Sequence, residues 1–295
     1  MPDPILVTGA TGTIGSHLVQ HLAARHVPVR AFVRDPVKAQ SLHAPTVQIA
    51  TGDLGDPDSI RNALHGVEKV FLVSSPAPEQ VTLQGNVVRA AQEMGVRHIV
   101  KVSALGTRPD SPLQIGRWHA ETEDMIRDAG VSYTFLHPHS FMQNFLSFAP
   151  TIERDGAFYA PLGRAAVAMV DARDVAEVAA AILQSDRHAG QTYVVTGPEA
   201  VSYADAAEAL STVLERPIGD VDVSPDAYRD HLVEAGLPGW LADDLTTLGN
   251  LFREGHGARV SPVVRDLTGR RGRRFGQFVR DYAEAFRRPV AQVPA

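Results

Sequence analysis

Gly9, Gly12 and Gly15 stand three residues apart directly after the apolar run Ile5-Leu6-Val7. They open onto Ile14, Leu18 and Leu22, four residues apart, with Val19 and Ala23 beside them. No other stretch leaves the chain so little choice of fold. The apolar run reads as a buried parallel strand and the later spacing as an amphipathic helix, so the chain begins with half of a βαβ unit. The first glycine permits the tight turn, the second lets the backbone approach a diphosphate, and the third lets helix and strand pack closely. Free N–H groups at the helix start then face the diphosphate and attract its charge. The stretch predicts a dinucleotide-binding loop at Gly9, Thr11, Gly12, Thr13, Ile14 and Gly15.

Further apolar runs at 29–33, 47–50, 70–73, 98–102 and 132–136 read as parallel strands. Helical patterns separate them: one ending at Leu64, capped by Asp56 or Asp58, one over 78–94 closed by Gly95, and one between the fifth and sixth strands. The alternation predicts an α/β fold, a doubly wound parallel sheet (Rossmann-like), with ligands outside the carboxyl ends of the strands. Residues 1–150 are expected to form the NAD(P)-binding domain, which a helix and strand over about 172–196 rejoin. The remainder of 151–295 reads as a smaller, mostly helical substrate lobe, with short strands at 156–161 and 166–170 and helices at 202–214 (Ser202 as cap), 225–235, 239–253 and 275–286.

The strand ends supply the candidate cofactor contacts. At the second, a carboxylate would hold the ribose hydroxyls of NAD, whereas an arginine pairs with the extra phosphate of NADP. Arg34 stands there with Lys38 four residues on, which favours NADPH; Asp35 keeps NADH as the less favoured alternative. Asp53 and Leu54 follow the third strand, where Asp53 could accept from an adenine amino group. Ser74 and Ser75 end the fourth strand beside the ribose and nicotinamide, Ser103 ends the fifth, and His137 and Pro138 end the sixth.

Composition narrows the function. Hydrophobic residues make up 44% and charged residues 21%, ordinary values for a globular protein, and the net charge of −6 argues against nucleic acid as a partner. No apolar run approaches the roughly 20 residues of a membrane span. There is no cysteine, so disulfides and thiolate catalysis are excluded. No signal peptide is read at the N-terminus, from which a cytoplasmic location is expected. His137 and His139 lack a third ligand at a convincing spacing, so no metal is expected. The cluster Arg270, Arg271, Arg273 and Arg274 reads as a solvated surface.

The helix between the fifth and sixth strands carries Gly116-Arg117-Trp118-His119-Ala120-Glu121-Thr122-Glu123. A short-chain dehydrogenase would place a catalytic tyrosine four residues before a lysine here; this chain has Ile115 and His119 instead. Several stretches resemble the atypical short-chain dehydrogenases of the NmrA-like group, and within it the NADPH-dependent quinone reductases. They are 7–15, 33–39, 67–70, 119–123, 130–144 and 171–176, with a looser likeness over 267–270. The resemblance covers nearly the whole chain and is more specific in the first half.

It implies NADPH bound across the glycine loop and Arg34, with hydride passed to a small planar acceptor such as a quinone, azo compound or dye. Ser103 stands where the partner serine would be. His119, with an ordinary pKa near 6.5, could protonate the reduced acceptor at neutral pH, or only bond a ribose hydroxyl. His139, Phe141, Asn144 and Phe145 are candidates for the acceptor pocket. Phe141, Phe145, Phe148, Phe158 and Tyr159 could stack on a flat substrate or belong to a core. A non-catalytic NADP(H) sensor acting through a protein partner is the alternative, and a carbonyl or imine reductase a weaker one. A homodimer is compatible with the sequence, which does not fix the oligomeric state.

Overall fold

The computed structural model describes residues 3–287. In chain order the first part runs β1 (Ile5–Val7), α1 (Gly15–Ala24), β2 (Val29–Val33), β3 (Val47–Thr51), α2 (Pro57–Leu64), β4 (Lys69–Leu72), α3 (Gln80–Glu93), β5 (His98–Val102), α4 (Gln114–Asp128) and β6 (Ser132–Pro138). Then follow α5 (Ala149–Asp155), β7 (Ala157–Ala160), β8 (Ala166–Val167), α6 (Ala172–Leu183) and β9 (Gln191–Val195). The last part holds β10 (Val201–Ser202), α7 (Tyr203–Leu214), β11 (Gly219–Asp222), α8 (Pro225–Glu234), α9 (Gly239–Arg253), α10 (Val263–Thr268), α11 (Phe275–Asp281) and α12 (Ala283–Arg287).

Seven strands form one parallel sheet in the order β3-β2-β1-β4-β5-β6-β9, the doubly wound arrangement expected from the alternating pattern. The inner strands are apolar on both sides because both faces are covered. Leu18 and Leu22 of α1 and Val175, Val178 and Ala179 of α6 pack with Val7, Phe71 and Val100 on one face. Ile60, Val87, Ala91 and Ile126 of α2, α3 and α4 close the other against Leu6, Val70 and Ile99. The order reverses between β1 and β4, which opens a crevice above their carboxyl ends. Thr8 pins that edge: its hydroxyl bonds the carbonyls of Phe71 (3.2 Å) and Val73 (2.8 Å) and accepts the Val73 N–H.

The chain leaves the sheet after β6 and returns through α6 and β9. Outside it, a second core gathers Met142, Phe145, Ile152, Phe158, Leu210, Phe252, Phe275, Phe278 and Phe286. Here the expected elements are shorter than the pattern suggests. The strand expected at 166–170 keeps only Ala166–Val167, because Ala168 N–H turns to the Gly257 carbonyl and Val170 bridges to Phe141. The helix expected over 275–286 breaks at Tyr282 into α11 and α12.

The arginine cluster is not simply a solvated surface. Arg273 bonds Asp174 through its backbone N–H (2.7 Å) and its guanidinium, and reaches Glu177 at 3.1 Å. Arg270 also pairs with Glu177, and Arg274 approaches Glu199 at 3.5 Å. Asp174 and Glu177 are buried on α6, so this arginine segment is bound to the sheet layer; Arg271 stays exposed. Among the described residues no helix is long and apolar enough to cross a membrane.

Candidate active site

The glycine loop ends on α1 with its peptide dipoles unopposed. Gly9 has φ +56°, and a Cβ there would lie 2.9 Å from Val73. A Cβ on Gly15 would lie 2.2 Å from the Gly9 carbonyl oxygen, so only glycine lets helix and loop close. Gly12 N–H bonds that same carbonyl at 2.9 Å, closing the turn. Thr11 and Thr13 are exposed, and Ile14 tucks into the core at the start of α1. No side chain caps this helix and its first turn holds no acid; the Gly12 carbonyl takes the Ser16 N–H (3.0 Å), while the Gly15 N–H meets no backbone carbonyl among the described residues and is left for an anion.

Arg34, immediately after β2, and Lys38 are exposed, and their side chains have no ion pair or hydrogen bond among the described residues. Asp35 is already committed: its carboxylate accepts the Val37 N–H at 2.9 Å and caps the 3-10 turn Pro36–Leu42. Asp53 accepts the Gly55 N–H at 2.7 Å, and the Leu54 carbonyl accepts from Asn86 at 2.8 Å. Asp56, one of the two acids considered, caps α2. The Ser74 hydroxyl accepts from Gln84 at 2.8 Å; Ser75 is exposed. A free helix N-terminus beside two unpaired cations suits a dinucleotide bearing an extra phosphate.

At the carboxyl ends of β5 and β6 a buried polar chain runs beneath the cleft. Lys101 on β5 is wholly buried, and its Nζ donates to the Val102 carbonyl (3.2 Å), Ser103 Oγ (3.0 Å) and His119 Nδ1 (2.8 Å). Ser103 Oγ–H continues to Glu123 Oε1 (2.6 Å), which also takes His137 Nε2–H at 2.8 Å. Arg127 holds the other Glu123 oxygen at 3.1 Å. Pro138 closes β6, its carbonyl taking the Leu105 N–H.

Burial pushes the Lys101 ammonium down to about 7, with the Glu123 carboxylate opposing only in part. Burial would raise Glu123, but hydrogen bonds from His137 and Ser103 and their charged surroundings outweigh it and hold the carboxyl below its ordinary value. Burial drives His119 well below its ordinary value, and the charges of Lys101 and His137 add to the effect.

Burial and the neighbouring Lys101 and His137 therefore favour the neutral ring at His119 over the imidazolium that an ordinary pKa near 6.5 would allow. Lys101 and the Gln80 amide (3.2 Å) both direct N–H groups at Nδ1, which must be the acceptor, so the ring proton sits on Nε2. Nε2 has no partner among the described residues and is not sealed from solvent. The arrangement leaves one unpartnered N–H donor on a buried, hydrogen-bonded support near the ends of β5 and β6.

The residues after β6 divide. His139 is buried and stacks on Phe252 at 5.5 Å; its Nδ1 accepts the Ser140 N–H, while Nε2 faces the Gly257 carbonyl without closing a hydrogen bond. Burial lowers its pKa to about 4. Phe141 is half-buried against the sheet core, and Asn144 is exposed.

Phe145 is not a substrate platform. It is 1% exposed and sits edge-on to Phe158 (5.4 Å), Tyr203 (4.9 Å) and Phe275 (4.8 Å), in the same core as Phe148. Sequence reasoning missed Lys101, Gln80 and Asp244. The signal for Lys101 was a lone cation inside the apolar run of an inner strand. Asp244 of α9 had no local signal: its carboxylate accepts the N–H groups of Gln114 (2.7 Å) and Ile115 (2.8 Å) across the interface with α4. A groove of about 440 Å³ lies along α4, beside Glu121 and Asp124, and His119 does not line it. Among the described residues no acidic, histidine or cysteine cluster is arranged to hold a metal.

Comparison with known proteins places this geometry in a family. The chain is 42% identical over 282 residues to an NAD(P)H azoreductase of Xenophilus azovorans, covering 96% of this chain and 99% of the relative. It is 40% identical over 283 residues to a (4-alkanoyl-5-oxo-2,5-dihydrofuran-3-yl)methyl phosphate reductase of Streptomyces griseus, covering 96% and 99%. The crystal structure of the NADPH-dependent quinone oxidoreductase QOR2 of Escherichia coli complexed with NADPH superposes with a TM-score of 0.85 at 31% identity, over 95% of this chain and 99% of that one. The NmrA-like family model matches residues 1–266, and the chain belongs to the NmrA-like family.

Proposed function

We propose that this chain is an NADPH-dependent reductase that passes hydride to a small planar electrophile, an azo compound or a quinone. The observation that carries the reading is the pair of unpaired cations, Arg34 and Lys38, beside an uncapped glycine-lined helix start, with Asp35 already used as a cap. The reductase names of the relatives support it. In this reading the loop from Gly9 to Gly15 holds the diphosphate, Arg34 and Lys38 take the 2′-phosphate, and Asp53 and Leu54 border the adenine. Ser74, Ser75, Ser103, His137 and Pro138 border the nicotinamide end. The cofactor supplies the hydride.

A quinone or azo group is already a good acceptor, so holding it flat in a water-poor cleft supplies much of the rate. The His119 Nε2–H group bonds the acceptor atom on which negative charge develops, a pre-aimed donor in a low-dielectric site. Ser103 and Glu123 hold the support rigid, and His139, Phe141 and Asn144 border the acceptor.

The test is the loss of reduced-nicotinamide absorbance with a panel of azo dyes, quinones and a dihydrofuranone phosphate, NADPH and NADH run in parallel. Turnover with NADPH on an azo dye or quinone is expected. Preference for NADH would overturn the Arg34 role. Tight NADP(H) binding without turnover on any acceptor would replace the enzyme with a sensor, and turnover on the phosphate ester alone would move the substrate class.

A further inference from the structure

We propose that Lys101 is a positioning residue that also stores the proton of the reduction, fixing His119 as an Nε2–H donor and refilling the ring at Nδ1. The proposal rests on the reductase reading above and adds a residue that reading does not use. An ammonium has three N–H groups, and Lys101 finds one acceptor for each: the Val102 carbonyl, Ser103 Oγ and His119 Nδ1. Among the described residues no carboxylate touches Nζ; the negative charge of Glu123 reaches it through the Ser103 hydroxyl.

Burying such a group is costly, and a methionine would fill the same volume without that cost. Its position gives the cost a purpose. Lys101 Nζ lies behind the ring, at Nδ1, while the opposite nitrogen has no partner among the described residues and keeps a little solvent exposure.

The proton balance is simple. As the reduced acceptor takes the Nε2 proton, forming its O–H or N–H bond, Nδ1 accepts a proton from the Lys101 ammonium. The ring stays neutral and changes tautomer, and Lys101 becomes an amine. Once product leaves, solvent returns a proton to Nε2 and the Nδ1 proton goes back to Lys101. One solvent proton is consumed per turnover. The charged or titratable groups around Lys101 are His119 and Glu123 from α4 and His137 from β6; α3 contributes only the neutral Gln80. An ammonium that yields its proton near neutrality suits this use, and burial lowers Lys101 to about 7.

The test begins on the cofactor-free protein, with nitrogen-15 NMR of the histidine rings and lysine amines. We expect His119 to carry its proton on Nε2 from about pH 6 to about pH 9, and one lysine amine to titrate near 7, that signal vanishing in Lys101→Met. In Lys101→Met the ring becomes a tautomer mixture. Turnover of the wild type falls about tenfold per pH unit above the Lys101 titration, whereas Lys101→Met is about tenfold slower at neutral pH and lacks that limb. Lys101→Arg keeps the Nε2–H tautomer, since arginine still donates to Nδ1, and also loses the limb. A second readout needs no turnover. Between about 7 and 10.5 the unfolded chain binds a proton at this lysine that the folded chain lacks. The stability of Lys101→Met relative to wild type must therefore rise as pH falls through that window. Normal turnover with Lys101 titrating near 10.5, or His119 carrying its proton on Nδ1, would overturn the proposal and leave the reductase reading standing. Absence of turnover on every acceptor would overturn both.

Discussion

Arg34 and Asp35 are adjacent residues that argue for different cofactors, and their hydrogen bonds separate them. Asp35 is occupied by the Val37 N–H, and Arg34 has no ion pair or hydrogen bond among the described residues. A charge-assisted bond to a phosphate is worth about 1.5–3 kcal/mol, and an exposed guanidinium delivers the lower part of that range. Arg34→Ala is therefore expected to weaken NADPH binding about tenfold and to leave NADH binding almost unchanged, as titration calorimetry would read. Equal weakening of both cofactors would mean that Arg34 only attracts the diphosphate at long range. The glycines and Arg34 were legible because strand ends and turns leave marks in one dimension. Lys101 left only a weak mark, one cation in an apolar run, since nothing in the string says that its amine points toward His119, which stands where an ordinary short-chain dehydrogenase has its helix lysine. Phe145 misled for the converse reason: an aromatic near a strand end looks the same whether its neighbours are a substrate or Phe158 and Phe275.

The elements of the sheet were readable wherever both faces are covered, because such strands are largely apolar runs alternating with helical connections. Outside the sheet, two-residue strands and a helix broken at Tyr282 are set by partners far along the chain, and the pattern blurs. The lobe nonetheless reaches into the site through one element. α4 carries both His119 and Glu123, yet Leu113 at its start offers no side-chain cap. Asp244 of α9 fills that place by accepting two backbone N–H groups, and Trp240 of the same helix meets Trp118 edge-on at 5.0 Å. Removing a carboxylate cap costs about 1–2 kcal/mol. Asp244→Ala is expected to lose that amount in chemical denaturation and to lower turnover several-fold without changing NADPH affinity. Asp244→Asn should lose less than half as much, because the amide oxygen can still take one N–H. A weakened NADPH affinity in Asp244→Ala would show instead that α9 organises the cofactor side of the cleft.

At the scale of the molecule, sheet and lobe are joined through α6. Its outer end binds Arg273 and Arg270 from the segment between α10 and α11, while Arg173 pairs with Asp171 at 2.6 Å and Asp281 at 2.7 Å and lies over the Tyr282 ring. Asp174 has no exposed surface, and its acidity reflects the contest there: burial raises its pKa, and the bonds from Arg273 only partly reverse the shift. Arg273→Met would leave that carboxylate buried without its cation, a change that costs about 3–5 kcal/mol when a buried pair is broken from one side. The double variant Asp174→Asn with Arg273→Met removes both charges and should recover most of the loss.

The pH dependence has a fixed sign. A carboxyl whose folded pKa lies above its unfolded value is relatively favourable below the unfolded value and becomes a burden as pH rises through the folded one. Without Arg273 the folded value of Asp174 climbs further. The deficit of Arg273→Met must then be largest at neutral pH and shrink as pH falls through the carboxylate range, while the double variant shows no such trend. Urea midpoints at pH 7 and pH 5 for the three proteins decide it. A deficit independent of pH would mean that Arg273 acts by packing against α6 rather than by neutralising Asp174.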